Sequence, residues 1–167
     1  MTQPIRFLVD ECISRPVVET QLAPSLVLYG ATATVMHHLA KYPQGVKDRI
    51  WIPEIAAEGG WIVVSMDRGM HSRVSERLPL ICQAFRVTHV MLSSGLGKRT
   101  MYYRALAIED RWSHLIEAAS HPAGTGFSLR MHETQKSHSF QLKKVTDALA
   151  PEDAPLVQKS LSDEWPK

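Results

Sequence analysis

Short apolar runs punctuate the chain, and two of them end on an aspartate. Phe7-Leu8-Val9 leads into Asp10, and Trp61-Ile62-Val63-Val64-Ser65-Met66 leads into Asp67. Runs of this length, rich in β-formers and bounded by polar or turn residues, read as buried strands of the kind found inside parallel sheets. The pattern predicts strands over 5–9, 32–36, 61–65 and 87–92, with shorter ones over 127–131 and 139–142 forming a terminal hairpin. A helix starts at Ser14 with Pro16 in its first turn, and Ala23-Pro24-Ser25 is expected to break it after Leu22. Residues 48–58 have a helical pattern, but Pro53 predicts a turn after Asp48 and a short helix from Pro53, stopped by Gly59-Gly60. Further helices are expected over 75–84 and 99–119. The second is the longest, with Met101, Ala105, Ile108, Trp112, Leu115 and Ile116 recurring at helical spacing.

Strands alternating with helices predict an α/β fold: a three-layer α/β/α sandwich with a mainly parallel central sheet. A length of 167 residues suits one domain, placed at 1–142. Pro151, Pro155 and a polar mixture make 143–167 a helical or disordered tail. Hydrophobic content of 44% and charge of 22% are those of a soluble globular protein. No apolar stretch nears the roughly 18–20 residues that a membrane span requires, so no membrane association is expected. Met1-Thr2-Gln3-Pro4 leads almost directly into a strand, which argues against a signal peptide. Cys12 and Cys82 show no metal-ligand spacing, and a cytoplasmic protein with reduced thiols is expected.

The net charge of +2 says little, but its distribution says more. Arg68, Arg73, Arg77, Arg86, Lys98, Arg99, Arg104 and Arg111 bias the middle of the chain toward positive charge. A basic surface beside an acidic pocket suits a nucleic acid, the bases holding phosphates while a metal does the chemistry. Arg68, Arg73, Lys98 and Arg99 are the candidate RNA contacts; the alternative is a set of solvated faces.

In open α/β sheets, ligands bind outside the carboxyl ends of strands, where the strand order reverses. Asp10, with Glu11 beside it, and Asp67 would both be delivered to that edge, and a loop acid such as Asp48 could close over them. Carboxylates crowded together are costly unless a cation joins them. Mg²⁺ or Mn²⁺ would relieve that cost, since such ions accept carboxylates, keep waters and bridge to phosphates. Taken singly, Asp10 could be a helix cap, Asp48 a turn cap and Glu54 a first-turn acid favoured by the helix dipole. Other chemistries lack a pattern. Gly95-Leu96-Gly97-Lys98 is too short for a phosphate loop, and no nucleophile elbow or paired-histidine metal spacing occurs.

Three segments occur in a familiar order: Phe7-Leu8-Val9-Asp10-Glu11, then Asp48-Arg49-Ile50-Trp51-Ile52-Pro53-Glu54, then Gly60-Trp61-Ile62-Val63-Val64-Ser65-Met66-Asp67. Together they resemble the PIN-like domain family, which includes ribonuclease toxins of bacterial toxin–antitoxin pairs. The resemblance covers about residues 5–142. It implies an α/β/α sandwich and a Mg²⁺- or Mn²⁺-dependent endoribonuclease. Asp10, Asp48 and Asp67 would be its catalytic metal carboxylates, and Glu11 a further ligand or support. RNA, a cognate antitoxin and a second copy of the chain are the partners it implies. One departure stands out: many relatives carry another acid directly after the strand-three aspartate, whereas here Asp67 is followed by Arg68-Gly69-Met70. Glu76 would then reach in from the following helix. Two other readings are an inactive PIN-like binding module and a receiver-type phosphoacceptor domain with Asp67 as the acceptor.

Overall fold

A computed structural model describes residues 3–30, 32–67, 69, 72–133 and 138–167. Its centre is a six-stranded sheet of order β2-β1-β3-β4-β5-β6. β1 (Ile5–Val9), β2 (Ala33–His37), β3 (Trp61–Ser65), β4 (Thr88–Leu92) and β5 (Gly126–Glu133) are parallel, and β6 (His138–Thr146) returns antiparallel on β5. The strands are found where the apolar runs predict them. The terminal hairpin is longer than expected, and β6 continues past Leu142.

Alternation along each strand sends side chains to two separate cores. Phe7, Val9, Ile62 and Val64 pack with Val18, Leu22, Ile108 and Trp112 on one face. Leu8, Val63 and Met91 pack with Trp51, Ile52, Ile55 and Ile81 on the other. Both faces of the sheet are therefore covered, and the α/β/α sandwich expected from the sequence is the observed architecture.

Four helical expectations need correction. Pro24 does not end the first helix. α1 (Arg15–Val17) passes through a π-helical turn (Val18–Leu22) into α2 (Ala23–Val27). The wide turn lets the Ala23 amide reach Val18 O, and Pro24 falls in the first turn of α2, where its missing donor costs nothing.

Nor does Pro53 delay α3, which runs unbroken over Asp48–Glu58 with the proline inside it. An interior proline costs about 3 kcal/mol. Burying Trp51, Ile52 and Ile55, at roughly 1.5–3 kcal/mol each, offsets that. The expected long helix over 99–119 is instead α6 (Met101–Asp110) and α7 (Trp112–Ala118), parted at Arg111, whose φ of −114° and ψ of 15° leave the helical region. The break seats Trp112 in the core, 5.1 Å from the Phe7 ring, with its indole N–H donating to Ser25 Oγ.

The helix expected over 75–84 is a 3₁₀ turn (Val74–Glu76) followed by α4 (Leu78–Ala84), which carries Pro79 in its first turn. α5 (Ser94–Gly97) is a single turn capped by the Ser93 hydroxyl. The polar tail forms α8 (Ala154–Asp163) and lies against α4, with Gln158 donating to Ala84 O. Among the described residues, no helix is long and apolar enough to cross a membrane.

Candidate metal centre

β1 has β2 on one side and β3 on the other, so the strand order reverses at β1. A cavity of about 580 Å³ opens at the carboxyl ends of these strands. Asp10, Glu11, Asp48 and Asp67 all line it, and Glu76 lines it from the 3₁₀ turn before α4. One edge of the sheet thus gathers acids that lie 57 positions apart in the chain, from Asp10 to Asp67.

Asp10 is held by its neighbours. Its amide donates to Val64 O at 3.1 Å, which extends the β1–β3 ladder one step past Val9. Oδ1 accepts the Cys12 amide at 2.9 Å, and Oδ2 accepts the Ser65 hydroxyl. Ser65 Oγ in turn accepts the amide of Asp67 at 2.9 Å. Asp67 bends back on itself, Oδ1 accepting the Gly69 amide at 2.7 Å. Ser14 rather than Asp10 stands at the helix N-cap, so the carboxylate shapes the strand-end turn instead of capping α1.

Asp48 enters from the opposite wall as the first residue of α3. Its Oδ1 accepts the Trp51 indole N–H at 3.0 Å. Lys47 holds the N-cap position, so Asp48 caps no backbone turn with its side chain. Glu11 is exposed at the rim, and Glu54 is exposed on α3 away from the cavity.

Burial and mutual charge govern the electrostatics of these acids. Burial pushes the Asp10 carboxyl up, against the hydrogen bonds from Ser65 and Cys12, and the charge of Asp67 adds to the rise. Burial, joined by the charges of Asp10 and Asp67, raises Asp48 to about 6 against the Trp51 hydrogen bond and the charge of Lys47. Among the described residues, none of the three ion-pairs with a lysine or arginine.

Such a set fits a divalent cation in donor chemistry, because hard oxygen ligands without cationic partners are what Mg²⁺ and Mn²⁺ take. It is no closed cage: among the described residues, no three His, Cys, Asp or Glu side chains converge into a metal-ligating group. An ion of the Mg²⁺ type would suit such donors, since it can be held by one or two carboxylates and keep waters as its other ligands.

Of the basic residues expected to guide RNA, those described stand apart from the cavity wall. Arg73 is exposed before the 3₁₀ turn, Lys98 is exposed after α5, and Arg99 stands over the Tyr103 ring; none of these lines the cavity. Arg68 lies outside the described residues. Lys47 and Arg49, which the sequence reading passed over, do line it, as does His38. Their proximity to Asp48 in the chain was the available signal. Ser65 was also missed as a link between two acids, although its position two residues before Asp67 marks it.

A family model described as PIN like domain matches residues 5–92, just over half of the chain. No curated protein and no solved structure matches it. The matched span runs from β1 through β4 and carries Asp10, Asp48 and Asp67. That family sets aside the receiver-type expectation: the chain belongs to the PIN-like domain family.

Proposed function

We propose that this protein is a divalent-metal-dependent endoribonuclease, the toxin half of a toxin–antitoxin pair. The observation that carries the reading is the gathering of Asp10, Asp48 and Asp67 on one cavity, none of them in a salt bridge among the described residues. Mg²⁺ or Mn²⁺ is the proposed cofactor, with Asp10, Asp48 and Asp67 as its carboxylates and Glu11 in support. Bound there, the cation would supply Lewis-acid charge to a phosphodiester and an activated water as nucleophile.

The chain's own residues prepare that site. The Ser65 hydroxyl and the Cys12 amide fix both oxygens of Asp10, so the carboxylate presents its remaining lone pairs to the cavity. Lys47 and Arg49 put positive charge on the wall beside Asp48, where they can meet phosphate. Arg68, Arg73, Lys98 and Arg99 would act more remotely, drawing RNA toward the cavity by a sequence-tolerant field. A cytoplasmic location, an antitoxin protein and a second copy of the chain belong to the same proposal.

A second reading is an inactive PIN-like binding module. It is favoured by the absence of a converged ligand group among the described residues and by Arg68 in the place of a further acid. One comparison separates the two: RNA cleavage with Mn²⁺ or Mg²⁺, beside Asp67→Asn and an EDTA control. The nuclease reading expects cleavage that requires metal and disappears in the variant. No cleavage by either protein, with metal binding demonstrated, supports the module; equal cleavage by both rejects the site.

A further inference from the structure

The opposite edge of the sheet carries a second cavity, of about 510 Å³, a size typical of small-molecule sites. It lies at the amino ends of the strands, bounded by Ile5, Ile62 and Thr88, and shares no lining residue with the acidic cavity. Its walls are largely apolar, with Ile55, Ile62, Val87 and Ile116 among them, and Arg86 contributes a positive charge.

Arg86 is unusual in its backbone. Its φ of 56° makes it the one non-glycine residue in the left-handed region among those described. It ends α4 in a Schellman turn, the Arg86 amide donating to Gln83 O at 3.1 Å and the Val87 amide to Cys82 O at 2.7 Å. That position favours glycine, and an L-residue there costs roughly 1–2 kcal/mol. Gly124 makes the site still tighter, since a Cβ on it would stand 2.9 Å from Arg86 Cα.

The side chain supplies no internal compensation. Its buried Nε has no hydrogen-bond partner, and among the described residues no carboxylate or carbonyl pairs with the guanidinium. The backbone of Arg86 closes α4, but among the described residues its side chain bonds no helix-end carbonyl. An arginine standing where the backbone prefers glycine, without a side-chain partner among the described residues, on the wall of an apolar cavity, is placed to bind something outside the chain.

We propose that this cavity binds a small apolar acid, Arg86 holding its anionic head and the isoleucine–valine wall taking its hydrocarbon or aromatic body. Guanidinium favours carboxylate, sulfonate and phosphate heads through paired charge-assisted hydrogen bonds. Size and apolar lining limit the body to drug-sized molecules.

The test uses two probes with nearly the same aromatic body: 8-anilinonaphthalene-1-sulfonate, which has the anionic head, and N-phenyl-1-naphthylamine, which lacks it. Each is titrated by fluorescence into the native full-length chain and into Arg86→Gly. The glycine variant suits the backbone, so its melting temperature is expected to equal or exceed that of the parent, and misfolding does not mimic lost binding. The expected result is saturable one-to-one binding of the sulfonate, weakened about tenfold or more in Arg86→Gly, with the amine bound equally by both proteins. The proposal is overturned if the sulfonate fails to saturate, if it binds the variant as well as the parent, or if both probes weaken together.

Discussion

The hydroxyl of Ser65, at the end of β3, donates to Oδ2 of Asp10, one residue past the end of β1, and accepts the amide of Asp67. A wholly buried serine thereby ties two acids from different strands into one arrangement. Removing it would leave a buried Asp10 oxygen without its donor and free the Asp67 backbone to move. Ser65→Ala is expected to cost about 1–3 kcal/mol of stability and to weaken Mn²⁺ binding about tenfold. Urea unfolding and calorimetric Mn²⁺ titration would check this; an unchanged affinity would rule out the positioning role.

Asp48 makes stability depend on pH in a stated direction. Its carboxyl moves from an ordinary 3.8 up to about 6, so the folded chain holds the proton more tightly than the unfolded chain. Its contribution is therefore fullest below about pH 4 and is lost as pH rises through about 6. Asp48→Asn removes the buried charge and keeps an oxygen for the Trp51 indole. In metal-free buffer it should be more stable than the parent at pH 7.5, by up to about 3 kcal/mol, with the gap closing by pH 4. Melting curves of both proteins at the two pH values would show it, and a gap that widens toward acid would refute the sign.

Metal should reverse that penalty. A cation bound by Asp10 and Asp48 needs both carboxylates ionised, so Mn²⁺ should raise the melting temperature at pH 7.5 far more than at pH 5. The shift should be lost in Asp48→Asn. A metal effect that is equal at both pH values would place the ion elsewhere.

The turn from α3 into β3 depends on Gly60. Its φ is 72°, and a Cβ there would fall 2.4 Å from the carbonyl oxygen of Pro4, a backbone atom with no rotamer to change. Gly60→Ala is expected to destabilise the chain by at least about 2 kcal/mol, read as a lowered urea midpoint with an unchanged slope. Retention of the parental midpoint would show that the N-terminal segment can move aside.

The tail steadies one wall of the acidic cavity. The Trp165 indole donates to Ser75 O at 2.9 Å, beside Glu76, which lines the cavity. Trp165→Ala should lower stability by about 1–3 kcal/mol and raise hydrogen exchange at residues 74–77 above that of β1. Uniform exchange changes throughout the chain would argue that α8 supports the whole domain and not this turn.

The sequence by itself determined the strands, the layered α/β architecture and the two strand-end acids. Alternation and short apolar runs are local signals, and a buried parallel strand is written directly in them. The family motifs are local as well, and their order along the chain survived as the order of elements around one cavity. The tertiary structure decided what depends on partners far away in sequence. Pro53 stays inside α3 because three buried side chains outweigh one missing amide, and Arg111 breaks a periodic helix so that Trp112 can reach Phe7 and Ser25. Lys47 and Arg49, not Arg73, Lys98 or Arg99, became the basic wall, since charge along a chain does not reveal which side chains a sheet edge will gather. The second cavity was equally invisible: it needs α3, α7 and the amino ends of three strands to meet around one strained arginine.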